Sequence, residues 1–234
     1  MVQSPELNLT VRPWKIPSPT GQPNRPGGVA DNGHQADTDM TVTDCAMTVA
    51  IVGNAPDMAD LSSEIDACNM VVRFNNAPGL GRWAGKRVTH LALVNRGGQP
   101  QEWVKDNGFD SMIALRSASE VIFPFPLLQD GPSGLCWTQE MTLALAPFDL
   151  RPRTLDEDIH DAAREALRAF GAIDPICPST GYLVAFDLLR RHPDWTIAIY
   201  GFGFTGWPLH PWSAERSWFQ EQHRRGALEL KPLR

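Results

Sequence analysis

The feature that most constrains this chain is a recurrence of short, apolar, β-branched runs, each cut off by small and polar residues. TVAIV (48–52) breaks at Gly53-Asn54-Ala55-Pro56, and MVVRF (70–74) breaks at Asn75-Asn76-Ala77-Pro78. TIAIYGF (196–202) runs into a glycine-rich stretch. Runs so short and so continuously apolar read as strands buried on both faces. THLALV (89–94), SMIAL (111–115) and EVIFPF (120–125) supply three more candidate strands. Helical patterns lie between them. Ala59 to Ala67 suits a short helix with Asp60 or Ser62 as its cap. Asp156 to Phe170 suits a longer one, capped by Thr154, with acids in its first turn and Gly171 at its end. Tyr182 to Arg191 follows Pro178-Ser179-Thr180-Gly181, and Ala214 to Arg225 ends at Gly226. From Ser133 to Leu150 the pattern is poor and interrupted by proline. Strands alternating with helices fold into a parallel or mostly parallel sheet. Ligands of such sheets sit in the loops at the carboxyl ends of the strands.

The chain has 234 residues, room for one substantial α/β domain and little for a second. Its net charge of -6 argues against a nucleic-acid partner, which calls for a basic face, and still leaves room for a local basic pocket. Cys45, Cys68, Cys136 and Cys177 lack Cys-x-x-Cys or Cys/His ligand spacing, so no structural zinc site is expected. They read as reduced thiols of a cytoplasmic protein, with pairing left open. No apolar run approaches the roughly 20 residues of a membrane span, and no apolar segment opens the chain. A cytoplasmic location follows as the expectation, with peripheral membrane association left open. Residues 1–45, rich in Pro, Gly, Asp, Asn and Thr, bury too little apolar surface to offset their ordering entropy. They read as a disordered leader before a folded domain over 46–234.

Three loops are candidates for chemistry. Gly53 permits close approach of backbone to a ligand, and Asn54 offers a donor and an acceptor for a base or ribose. A plain strand-exit turn is the alternative. Asn75, at the next strand end, could donate to a phosphate without neutralising it, or could belong to an asparagine-rich turn. Ser179, Thr180 and Gly181 open a helix, where free N–H groups and the positive end of the dipole favour an anion. An ordinary Ser or Thr cap explains the same tetrapeptide.

Taken in order along the chain, these loops resemble the motifs of the sialyltransferases. AIVGNAP, EIDACNMVVRFNNAP and AGKRVTH (within 50–90) resemble the large sialyl motif, and CPSTGYL with IAIYGFG (177–203) the small one. His210-Pro211-Trp212-Ser213-Ala214-Glu215 resembles the very small motif. The likeness covers about 48–94 and 176–228. It implies a Rossmann-like, glycosyltransferase-A-variant single domain and an inverting transfer. The reaction would carry sialic acid, or a related nonulosonic acid, from its CMP-activated donor to a sugar hydroxyl of a glycan. On this resemblance Gly53, Asn54 and Asn75 hold the CMP moiety, and Ser179, Thr180 and Gly181 its phosphate and the donor carboxylate. His210 is the general base, a role suited to a group titrating near neutrality, and Glu215 helps place the loop that carries it. Glu64, Asp66 and Arg73 match positions read as an Arg–carboxylate pair that fixes the first two loops. Trp212, and with it Trp207, offers an aromatic acceptor wall. The expected purpose is decoration of a bacterial-type surface glycan. No metal or other cofactor is expected, because no Asp-x-Asp stands in a strand-end loop; Asp37-Thr38-Asp39 lies in the leader.

Two departures from the family pattern are visible. The positions of the animal members' disulfide are Val49 and Asp194. The third, His/Tyr/Trp-rich motif is missing, since seven residues (203–209) separate Phe202 from His210; Trp207, Trp212 or an arginine such as Arg73 are the candidates to replace it, and the alternative is that His210 does both jobs, which implies weak activity. Kdo, also CMP-activated, is an alternative donor, and a non-catalytic CMP-sugar-binding protein is the alternative of another class. Gly-Phe-Gly-Phe-Thr-Gly (201–206) spells the dinucleotide fingerprint, but Trp207-Pro208 and Pro211 exclude the helix that motif requires. His90 is expected to pack or cap a strand, His160 and His223 to lie on solvated helix faces, and His34 falls in the leader.

Overall fold

Three of the apolar runs form the centre of one sheet. In a computed structural model, which describes residues 46–129 and 134–234, β1 (Thr48–Val52) pairs in parallel with β2 (Met70–Phe74) and, on its other side, with β6 (Thr196–Tyr200). Beyond β2 lie β3 (His90–Ala92), β4 (Glu120–Phe123) and β5 (Pro152–Thr154), and beyond β6 lies β7 (Glu229–Leu230). The sheet has seven strands in the order β5-β4-β3-β2-β1-β6-β7, every pair parallel. The expected leader, with His34 and Cys45, lies outside the described residues.

Both faces are covered, as a parallel sheet requires. Val49 and Ile51 of β1 point into a core closed by α4 (Glu157–Arg168), α5 (Thr180–Arg191) and α6 (Trp212–Arg224). Ala50 and Val52, alternating with them, pack on Met58 and on Ile65 of α1 (Ser62–Ala67). Leu91 and Val121 extend that second face to Trp103 of α2 (Gly98–Lys105) and Met141 of α3 (Thr138–Leu145). Val49, Ala50, Ile51 and Val52 are at most 1% exposed. Each such side chain contributes on the order of 1.5–3 kcal/mol, which holds the centre of the sheet together. The result is a single, Rossmann-like α/β domain.

Several local expectations need correction. SMIAL (111–115) is not a strand: it falls within two 3-10 turns, Gly108–Ser111 and Ile113–Arg116. Phe109, Met112 and Leu115 are buried at spacing three, while Ile113 is 71% exposed, the pattern of a three-residue turn and not of a doubly buried strand. The poorly patterned stretch after Ser133 contains α3. Edge strand β5 begins with Pro152, which only an edge or a strand start tolerates. Thr154 belongs to β5, so Asp156 stands at the N-cap of α4 instead. Helix α6 starts at Trp212, two residues before the expected start. His160 is 6% exposed and packs on Phe125, with ring centroids 5.6 Å apart. Burial lowers its pKa, so it is a core histidine and not a solvated one. His90 is 2% exposed; its Nδ1 lies 2.8 Å from the Thr89 hydroxyl, and burial pushes its pKa down to about 3.

Candidate active site

The chain lays down β1 to β5 in one direction from the centre, then returns to add β6 and β7 on the other side of β1. The reversal falls between β1 and β6. The two connections leaving those strands run to opposite faces of the sheet and leave a crevice at their carboxyl ends. Backbone seals its floor: Gly53 N–H donates to the Tyr200 carbonyl at 2.7 Å and Ala55 N–H to that of Gly201 at 3.0 Å. A Cβ on Gly53 would lie 2.4 Å from the Gly201 oxygen, so this approach requires glycine.

Each asparagine is anchored by one end of its amide. Asn54 donates through Nδ2 to the Phe74 carbonyl at 3.1 Å, which leaves Oδ1 as an acceptor. Asn75 is held in the left-handed region, φ 52°, and its Oδ1 accepts from Val94 N–H at 3.0 Å. Its Nδ2 remains as a donor. The pair therefore presents one acceptor and one donor side by side at the ends of β1 and β2.

Opposite them is the first turn of α5. Ser179 is its N-cap, with Oγ accepting from Tyr182 N–H at 3.2 Å. Glu215, from the first turn of α6, takes both donors of Ser179. Its Oε1 accepts from Ser179 N–H and its Oε2 from the hydroxyl, each at 2.7 Å. The N–H groups of Thr180 and Gly181 have no acceptor among the described residues. They face the crevice with the positive end of a helix of 12 residues behind them. Glu215 is 1% exposed, and burial raises its pKa to about 7 against the lowering effect of the Ser179 bonds.

His210 closes the fourth side. Its Nδ1 lies 2.7 Å from the Cys177 carbonyl, a contact that an N–H makes and that leaves the lone pair on Nε2. Burial lowers its pKa against the opposing pull of that carbonyl. Two tryptophans set the ring edge-on, at 4.9 Å from Trp207 and 4.9 Å from Trp212. Trp212 Nε1–H donates to the Trp207 carbonyl at 3.0 Å.

Gly53, Asn54, Asn75, Ser179, Thr180, Gly181, His210 and Trp212 thus line one cleft of about 280 Å3. Glu215 lies outside the lining, with its carboxylate on Ser179, two residues from the Cys177 whose carbonyl holds His210. Trp207, 51% exposed, stands outside the lining. Phe204 and Thr205 also line the cleft, within the segment 204–214 that the sequence alone expects to close over the acceptor, while Gly201, Phe202 and Gly203 join the lining without a sequence-based assignment. No helix opens at Gly206, and the next one starts at Trp212.

The expected Arg–carboxylate pair is absent among the described residues. Arg73, 2% exposed, donates to the carbonyls of Arg87 (2.7 Å) and Ala84, away from the cleft. Burial lowers its pKa to about 10. Asp66 accepts from the N–H groups of Lys86 and Arg87, and Glu64 accepts from the Tyr200 hydroxyl at 2.9 Å and pairs with Lys231. Arg73 therefore cannot replace the third motif. Among the described residues no Lys, Arg, Asp or Glu lines the cleft.

A doubly wound parallel sheet, with a glycine-floored cleft at its switch point and a helix N-terminus aimed into it, defines a ligand-binding α/β domain of Rossmann-like type. Its fold is that of the sialyltransferases. The α-2,3-sialyltransferase of Campylobacter jejuni superposes with a TM-score of 0.53 at 11% identity, over 85% of this chain and 79% of that one. A mammalian sialyltransferase superposes with a TM-score of 0.51 at 16% identity, over 81% and 70%. In sequence, the urease operon 23 kDa accessory protein of Rhizobium meliloti (strain 1021) is 24% identical over 196 residues, 77% of this chain and 90% of that protein. No protein-family model matches. No helix among the described residues is long and apolar enough to cross a membrane.

Proposed function

We propose that this protein is an inverting glycosyltransferase that moves a nonulosonic acid, sialic acid or a close relative such as Kdo, from its CMP-activated donor to a glycan hydroxyl. The observation that carries this reading is the convergence, in one cleft, of residues from three motifs spread along the chain from Gly53 to Trp212. The sialyltransferase fold agrees with it. Asn54 and Asn75 address the cytidine and ribose, and the N–H groups of Thr180 and Gly181 face the phosphate. The acceptor sits against Trp212. As its oxygen bonds to the anomeric carbon, its proton passes to Nε2 of His210, and CMP departs with the electron pair of the broken C–O bond. Inversion follows from attack opposite the leaving group. The Cys177 carbonyl holds the imidazole in the tautomer that can accept this proton. CMP needs no protonation to leave, so amide donors and a helix dipole accommodate its charge without a metal. Cytoplasmic residence and work on a surface glycan belong to the same proposal.

Calorimetric titration with CMP against UDP and GDP, followed by turnover of CMP-sialic acid and CMP-Kdo with galactoside acceptors, tests it. CMP binding with turnover, lost in His210→Ala, is the expected result. Binding without turnover makes the protein a CMP-sugar binder, and no preference for CMP ends the reading.

A further inference from the structure

The cleft has a charge deficit. A CMP-linked ligand brings a phosphate, yet among the described residues the lining offers no Lys or Arg, only two N–H groups and a histidine whose pKa burial lowers. A cation nevertheless stands at its rim. Arg216 follows Glu215 on α6, and its guanidinium lies over the ring of Phe204, 5.5 Å from the centroid. Its Nη2 reaches the Gly203 carbonyl at 3.5 Å. Both of these contacts line the cleft, on the loop that leaves β6.

Arg216 is exposed and pairs with no carboxylate among the described residues. It differs in this from Arg224 and Arg225 at the C-terminal end of α6, which both pair with Glu221. A 3.5 Å contact is weak, so the side chain is held mainly by the Phe204 ring and is free to turn about its stem toward an anion. Its neighbour Glu215 is fixed on Ser179, which sets the rotation of α6 and so keeps position 216 on the side of the β6 loop. Phe204, with φ 50°, presents the ring on which the guanidinium rests.

We propose that Arg216 is a specificity-determining residue: it supplies the positive charge of the cleft and recognises the phosphate of the bound nucleotide, and of the donor that carries it. The inference rests on the CMP-donor reading of the cleft. A guanidinium suits the part because it pairs with two phosphate oxygens at once. The Arg216 guanidinium also rests on the loop 203–209, where the third family motif is missing, so one exposed arginine takes over the charge that the lost motif would have supplied.

The test compares CMP with cytidine, the same ligand without its phosphate, in the wild type, Arg216→Ala and Arg216→Lys. Arg216 is exposed, so the variants are expected to fold, and their melting temperatures check it. The expected result is a loss of CMP affinity of about tenfold or more in Arg216→Ala, with cytidine affinity unchanged and partial recovery in Arg216→Lys. Wild-type CMP affinity should also fall more steeply with salt than that of Arg216→Ala. An unchanged CMP-over-cytidine preference in Arg216→Ala overturns the role of Arg216 while leaving the CMP reading intact. A wild type that binds neither ligand overturns that reading and the inference with it.

Discussion

Glu215 grips Ser179 with both carboxylate oxygens, one on the N–H and one on the hydroxyl, each at 2.7 Å and sealed from water. Residues 36 positions apart are thereby locked, and with them the first turns of α5 and α6. The N–H groups of Thr180 and Gly181 are aimed at the cleft because the preceding residue cannot move. Among the described residues no lysine or arginine pairs with the carboxylate, and burial drives the pKa of Glu215 up to about 7.

The first prediction follows from the sign of that shift. The carboxyl titrates near 4.5 when unfolded and near 7 when folded, so the native state binds the proton more tightly. Its contribution to stability is fully present below about pH 4.5 and is lost as pH rises through 7. Glu215→Gln keeps the shape and removes the titration. Its melting temperature relative to the wild type should rise between pH 5 and pH 8, by an amount equivalent to at most about 3 kcal/mol. Glu215→Ala leaves the Ser179 donors unpaired and should destabilise at both pH values by about 2–3 kcal/mol. A pH-independent difference between wild type and Glu215→Gln contradicts the raised pKa.

The sequence made the centre of the fold and the composition of the cleft legible for the same reason. β1, β2 and β6 are buried on both faces, so apart from Arg73 their buried residues are hydrophobic, and the glycines and asparagines after them stand out as interruptions. What was illegible depended on partners distant in the chain. Arg73 looked like half of an ion pair, but its neighbours are the carbonyls of Ala84 and Arg87, which no side-chain pattern discloses. His160 looked solvated because acids surround it in sequence, whereas the helix turns it under Phe125. The bond between Glu215 and Ser179 has no trace in the sequence, since only folding brings together residues 36 positions apart. Short β5 and β7 carry too few residues to show a period at all.

Asn75 separates a backbone role from a binding role. Its φ of 52° favours asparagine or glycine, and its side chain both accepts from Val94 N–H and offers Nδ2 to the cleft. Asn75→Ala should lose about 1–2 kcal/mol of stability through the strained backbone and the unpaired N–H. Asn75→Gly should regain the conformational part without restoring CMP affinity. Chemical denaturation and calorimetry on the two variants check this; equal CMP affinity in Asn75→Gly and wild type removes Asn75 from the site.

Two glycines should respond in opposite ways. Gly53→Ala drives a methyl to 2.4 Å from the Gly201 carbonyl, backbone that cannot yield without parting β1 from β6. A loss of about 3 kcal/mol, or failure to fold, is expected. Gly181→Ala meets the Phe202 ring at 2.9 Å, and a ring can turn. Helix propensity there favours alanine by up to about 1 kcal/mol, so the variant should fold with nearly normal stability. Its added methyl narrows the cleft beside the N–H groups facing the phosphate, so CMP affinity should fall about tenfold or more, measured by titration after thermal melts confirm the fold.

The last prediction concerns when His210 can act. Burial disfavours the imidazolium more than the Cys177 carbonyl favours it, which places the pKa below the usual histidine value. The base is therefore neutral throughout the neutral range, and the acidic limb of kcat/KM should fall below pH 6.5, not at or above it. His210→Ala should reduce kcat by about 10²–10⁴ while leaving CMP affinity within a few-fold, because the lost group handles the acceptor's proton. Trp212→Ala should act differently, raising the acceptor KM and loosening the ring that its neighbour packs against at 4.9 Å. An acidic limb at or above pH 6.5, or a His210→Ala variant that turns over normally, would transfer the base role to another group or to water.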